Sequence, residues 1–276
     1  MYIPQVINAY SRSGRGQSSN PEKAERILHR METQFDSGGH NDLQPDTVCY
    51  NAVINSYGWS KNVPNKAEKA KEIFLKMKAL YQSKKNTAAK PDIVTCNSVL
   101  NCCAYTSAKE EQSQALDIAV SVYEMCMDDP ILFGKLNHIT YGNMILSCTN
   151  LVPVSSEQNI NDTQVNDLAK MKRRKLVETV WWHCCQDGKV STFVLSKFLQ
   201  ALSFDHEIIF EIIGKSNDRF FNEEYDPNQV DIHVHDLPIE WTRSAGEDLA
   251  ILKNSRGLNS NYRSKRIGPQ GKRNNK

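Results

Sequence analysis

A two-part helical pattern recurs along the chain, and no other feature so narrows what it can fold into. The first part reads Asp46-Thr47-Val48-Cys49-Tyr50-Asn51-Ala52-Val53-Ile54-Asn55-Ser56-Tyr57. It returns as Asp92-Ile93-Val94-Thr95-Cys96-Asn97-Ser98-Val99-Leu100-Asn101-Cys102-Cys103 and again as Asn137-His138-Ile139-Thr140-Tyr141-Gly142-Asn143-Met144-Ile145-Leu146-Ser147-Cys148. The chain opens inside another copy, since Val6-Ile7-Asn8-Ala9-Tyr10 matches Val53-Ile54-Asn55-Ser56-Tyr57. Matching positions Ile7, Ile54, Leu100 and Ile145 lie 47, 46 and 45 residues apart. After each first part comes a run of the form small-x-x-aliphatic-large-x-x-Met/Cys. Its copies are Ala24…Ile27-Leu28…Met31, Ala70…Ile73-Phe74…Met77, Ala119…Val122-Tyr123…Cys126 and Val177…Val180-Trp181…Cys184. Apolar residues at i, i+3, i+4 and i+7 make one stripe of an amphipathic helix. The small residue at its head lets a paired helix approach closely.

A single helix pair cannot bury its stripe alone, whereas stacked pairs can. The expected fold is therefore all-α, a right-handed α-solenoid of helix–turn–helix repeats. The array is expected over residues 1–203, with four to five units and a truncated first one. Asn20 and Asn65 are expected to cap second helices. A weaker fifth first helix is expected from Val190 to Ser203, after the turn Gln186-Asp187-Gly188. In the fourth copy the connection swells: Ile145 to Val177 spans 32 residues, against 16 from Ile54 to Ala70. The surplus, Leu151 to Asn166, is polar and reads as a surface loop.

The net charge of +2 conceals a local asymmetry. Residues 204–240 carry ten acidic and two basic side chains, whereas residues 241–276 carry nine basic and two acidic ones. The acidic segment reads as a cap on the last unit. The basic segment reads as a disordered tail able to touch phosphates.

Other classes are disfavoured. No apolar run approaches the roughly 18 residues of a membrane span, and no secretory or organelle-targeting leader opens the chain. Either the chain stays in the cytosol or nucleus, or its true N-terminus lies upstream. Eight cysteines occur without a Cys-x-x-Cys pair, so they read as reduced core residues of an intracellular protein. In Asp231-Ile232-His233-Val234-His235-Asp236 the two histidines would share a face in a strand, but no other ligand cluster is recognisable, and no metal or cofactor is expected. Phosphate loops, hydrolase elbows and deaminase signatures are missing, so neither an enzyme with catalytic residues nor a small-molecule substrate is expected. Trp181 falls in an apolar stripe and reads as core, with Trp182 partly exposed.

The run Pro45-Asp46 before Thr47-Val48-Cys49-Tyr50-Asn51, repeated as Lys90-Pro91-Asp92 before Ile93-Val94-Thr95-Cys96-Asn97, resembles the pentatricopeptide repeat. That family joins Pro-Asp to Val-Thr-Tyr-Asn-x-Leu-Ile and a later Ala-x-x-Leu-Phe-x-x-Met helix. The resemblance covers about Met1 to Ser203 and is most specific in the second and third copies. The units here are ten or more residues longer than the family's, and the extra residues fall where loops tolerate insertion. The resemblance implies binding of single-stranded RNA, one base per unit, in organellar RNA processing, stability or translation. It places the protein in a mitochondrion or plastid, with other RNA-processing proteins as further partners.

By the same resemblance the base-reading pairs are Asn51 with Asp92, favouring uracil, and Asn97 with Asn137, favouring pyrimidines and cytosine more often. Val48, Val94 and Ile139 take the base-sandwiching position. Gly142 replaces the reading amide in the next unit and should discriminate weakly. Asp46 pairs with Pro4 in the first unit and is weak for the same reason. The rival reading is a tetratricopeptide-like scaffold for protein partners, which shares helix-pair geometry.

Overall fold

The computed structural model describes residues 21–38, 43–60, 63–154, 163–214 and 232–245. The opening copy through Asn20, residues 155–162 of the long connection, residues 215–231 of the acidic segment and the tail from residue 246 lie outside the described residues. Every regular element among the described residues is helical. In chain order these are α1 (Pro21–Asp36), α2 (Thr47–Trp59), α3 (Lys66–Gln82), α4 (Ile93–Ala104), α5 (Gln112–Asp128) and the single turn α6 (Pro130–Phe133). There follow α7 (His138–Leu151), α8 (Thr163–Gln186), α9 (Thr192–Ala201), α10 (His206–Gly214) and the short α11 (Ile239–Thr242).

The helices formed by the first part of the pattern, α2, α4, α7 and α9, pack on one another in that order. Those formed by the second part lie beside this row: α1 packs on α2, α3 on α2 and α4, α5 on α4 and α7, and α8 on α7 and α9. This position explains why the first helices carry little polar surface. In α4, Thr95 through Leu100 and Cys102 through Ala104 are all buried. The second helices keep one wet face, and their stripes go inward: Ala70, Ile73, Phe74 and Met77 of α3 are buried, as are Ala119, Val122, Tyr123 and Cys126 of α5.

Polar side chains tie the row in register. Each donates to a carbonyl of the preceding first helix: Cys102 Sγ to Ile54 O (3.2 Å), Asn143 Nδ2 to Asn97 O (3.2 Å) and Asn150 Nδ2 to Ala104 O (2.8 Å). Hydrogen bonds across an interface offset the cost of desolvating these polar groups and penalise any slip that would unpair them. Gly58 marks a close approach of α2 and α4, since a Cβ there would stand 3.0 Å from Asn101 Nδ2 and 3.2 Å from Cys102 Sγ.

Several expectations are corrected. Asn65 does precede α3, but its backbone is left-handed (φ 53°) and its side chain makes no capping bond. The cysteines are not all reduced: Cys96 of α4 is bonded to Cys126 of α5, while Cys49, Cys102, Cys103, Cys148, Cys184 and Cys185 are free and buried. Cys96 stands where Tyr50 and Tyr141 stand in the neighbouring copies, so two small sulfurs meet where those units use a large ring. Helix α8 begins at Thr163, inside the stretch read as loop. Trp241 to Ala245, the head of the segment read as tail, belong to the folded body. Trp241 packs edge-on against Trp181 and Trp182, and its carbonyl accepts from Val190 N at 2.8 Å.

Candidate nucleic-acid interface

Every first helix starts on a side chain that caps it. Asp46 accepts from Cys49 N, and Asp92 from Thr95 N, both at 2.9 Å. Asn137 accepts from Ile139 N and Thr140 N at 3.0 Å each, and Ser191 Oγ from Val194 N at 3.3 Å. In α4 and α7 the third residue returns the bond, Thr95 Oγ1 accepting from Asp92 N and Thr140 Oγ1 from Asn137 N. These capping boxes follow from the short polar residue and the threonine three places on. The four caps stand at the starts of α2, α4, α7 and α9, the helices of the row.

One turn into the helix, an amide reaches across to the next cap. Asn51 Nδ2 donates to Asp92 Oδ1 at 3.4 Å, and Asn97 Nδ2 donates to Asn137 Oδ1 at 3.3 Å. The two pairs expected from the sequence are thus brought together, each straddling a junction between successive first helices. Both asparagines are only 8 % exposed. Their Oδ1 atoms have no partner, and among the described residues just one other buried side-chain N or O atom, Trp181 Nε1, shares that condition. An acceptor buried without a donor costs about 1–3 kcal/mol. Its recurrence at two equivalent positions sets these two amides apart from the rest of the described core.

The apolar positions beside these junctions face outward. Val48 and Val94 are about half exposed, one on α2 and the next on α4, while Ile139 is partly buried. Exposed β-branched residues in the first turn of a helix offer a flat apolar edge to solvent. Asp46 caps α2, but its expected partner Pro4 lies outside the described residues.

Gly142 occupies the amide position on α7 and is buried. The space that an asparagine would take is filled from α9: a Cβ on Gly142 would lie 2.1 Å from Phe193 Cε1 and 2.6 Å from its Cδ1. Sequence reasoning treated Gly142 as a missing reader and did not find what replaces it. The signal was present, because Ser191-Thr192-Phe193-Val194-Leu195-Ser196 aligns residue for residue with Asn137-His138-Ile139-Thr140-Tyr141-Gly142. That alignment puts Ser191 at the cap, Phe193 at the position of Val48 and Val94, and the exposed Ser196 at the amide position.

Away from this edge, His233, His235 and Asp236 bring candidate metal-ligand atoms within 4.8 Å of one another. They form a 3-10 turn rather than the strand that the histidine pair would need. Its own capping bond, His233 N to Asp236 Oδ2 at 2.8 Å, accounts for the arrangement. Among the described residues no helix is long and apolar enough to cross a membrane. Comparison with protein-family models, with curated proteins and with solved structures finds no match to this chain.

Proposed function

We propose that the chain is a right-handed α-solenoid of pentatricopeptide type that binds single-stranded RNA. The observation that carries this reading is the repeated junction, with Asn51 against Asp92 and Asn97 against Asn137, each amide oxygen unpartnered. An amide both donates and accepts, as the Watson–Crick edge of a pyrimidine requires. The acid or amide of the next cap holds it in orientation and adds a second polar group for a bridging water. Val48 and Val94 supply apolar edges on which a base rests between neighbouring units. The bases taken are uracil at the first junction and a pyrimidine, more often cytosine, at the second. The setting is organellar, in a mitochondrion or plastid, and the role is maturation, stability or translation of a transcript.

Each such contact contributes about 1–3 kcal/mol, so two reading junctions alone contribute about 2–6 kcal/mol, an affinity weaker than micromolar. Selection from a random single-stranded RNA pool tests the reading. Enrichment of adjacent pyrimidines is expected, and a pool that emerges unenriched contradicts it. The tetratricopeptide-like alternative, a protein scaffold, is favoured by a different surface. Val165, Leu168 and Met171 on the first half of α8 are each 68–69 % exposed, an apolar stripe that an interacting protein would cover.

A further inference from the structure

We propose that the Cys96–Cys126 bond is a redox-controlled brace on the second junction, and that opening it weakens the base contact made there. The effect on RNA rests on the RNA-binding reading above. Four residues after their caps, three first helices tie their first turn to the end of a second helix. Tyr50 of α2 donates to Glu32 Oε1 of α1 at 2.9 Å, and Tyr141 of α7 donates to Asp187 Oδ2, just past α8, at 2.6 Å. In α4 the same position holds Cys96, and its tie, to Cys126 near the end of α5, is covalent. A phenol–carboxylate hydrogen bond is indifferent to reductants, whereas a disulfide is not. The middle tie is therefore the one that a thiol can undo. Its place matters for reading. Cys96 directly precedes Asn97, and Cys126 stands 11 positions before Asn137, whose Oδ1 accepts from Asn97 Nδ2 at 3.3 Å. The bond thus links the helix that carries one member of the reading pair to the helix whose exit leads into the other. At the first junction Asn51 follows Tyr50, and the tie there contains no sulfur.

Cys126 also lines a cleft of about 570 Å³, together with Lys135, Lys189 and Arg243. Asp187 shares the cleft but already accepts from Tyr141. The cations favour the thiolate form of an incoming dithiol, which is the form that attacks a disulfide. Attack on the Cys126 sulfur breaks the S–S bond, and Cys96 leaves as a thiolate that takes up a proton. The reagent's second thiol then displaces Cys126 and closes the reagent's own disulfide, so two electrons and two protons pass to the protein. Other thiols stay out of the exchange, because burial raises Cys49, Cys102, Cys103, Cys148 and Cys185 and keeps them protonated.

The test compares the full chain in its oxidised form with the same chain treated with dithiothreitol. Alkylation under denaturing conditions should label six cysteines in the first state and all eight in the second, the gain falling on Cys96 and Cys126. Hydrogen exchange should rise on reduction in peptides over the starts of α4 and α7, and stay unchanged over the start of α2. With an RNA carrying adjacent uracil and cytosine, reduction should weaken binding about tenfold, the loss of one base contact, and erase preference at the cytosine alone. Cys96→Ser with Cys126→Ser should match the reduced protein in each assay and ignore dithiothreitol. Melting curves establish that this variant is folded, and the treated wild-type chain decides the matter by itself if it is not. Eight labels before reduction, or exchange and binding that ignore dithiothreitol, overturn the brace and leave the RNA reading standing. Exchange that responds to dithiothreitol in a protein that binds no RNA in either state upholds the brace and overturns the RNA reading.

Discussion

Asn51 and Asn97 use their amide nitrogens within the fold and leave their oxygens without a donor, which is a poor way to stabilise a helix. Alanine is the better helix former, and removing the amide also removes a buried unsatisfied acceptor. Asn97→Ala should therefore change unfolding free energy by less than about 1 kcal/mol in urea denaturation. A loss above about 2 kcal/mol would make the amide a structural brace instead. These positions were legible in the sequence, because a fixed place after a cap repeats across copies. The place of Phe193 after Ser191 was legible in the same way, but its packing was not, because that depends on Gly142 on another helix, 51 residues earlier. Only a coordinate tells that the missing amide and the unexpected ring fill one volume. Likewise nothing in the spacing of Cys96 and Cys126 distinguished a bonded pair from two core thiols, as the chain between them, a separation of 30 positions, crosses two helices and a turn.

At the level of elements, periodicity located the helices, and the caps fixed where first helices start. The stripe positions Ala24, Leu28, Met31, Val177, Val180, Trp181 and Cys184 are all buried. Helix ends that rely on distant partners were not legible. Arg173 of α8 is buried, and its guanidinium donates to three carbonyls at the ends of two other helices. Its Nε meets Val152 O at 2.8 Å, its Nη2 meets Thr149 O at 2.9 Å, and its Nη1 meets Ala201 O at 3.4 Å. Burial lowers its pKa from the usual guanidinium value, with the nearby Cys148 acting in the opposite direction. In the sequence it is one more base in the run Lys172-Arg173-Arg174-Lys175, indistinguishable from a solvated face. Arg173→Ala should cost about 2–4 kcal/mol, since it strands buried carbonyls and removes packing. Arg174→Ala, whose partner Glu211 is 44 % exposed, should change stability by well under 1 kcal/mol by the same measurement.

Across the whole molecule, burial of many thiols and phenols sets a pH limit. Desolvation first, with a hydrogen bond to Asp46 second, pushes the Cys49 thiol up to about 12. Desolvation likewise raises Cys102 and Cys148 to about 12, and it raises Cys103, Cys185, Tyr50, Tyr57, Tyr123 and Tyr141 further. These groups keep their protons in the native state at a pH where the unfolded chain has lost them, so stability falls as pH rises. The contribution is complete below about pH 9, the ordinary thiol value, and declines above it. Lys66, lowered by burial, acts oppositely but is one group against several. The melting temperature should hold level from pH 7 to about 8.5 and drop steadily beyond pH 9. A flat profile to pH 11 would mean that these side chains are already hydrated in the native state.

The row of first helices was legible from repetition alone, whereas the closure of its far end by Trp241 was not, because that residue opens a segment whose composition reads as tail. The central claim is that the junctions of this row read RNA, and filter binding with pyrimidine-rich and purine-rich oligonucleotides tests it most directly. The intact protein should retain the pyrimidine-rich RNA in preference, and Asn51→Ala with Asn97→Ala should erase that preference while leaving the melting temperature nearly unchanged. Equal retention of both RNAs, or a preference untouched by the double substitution, would contradict the account.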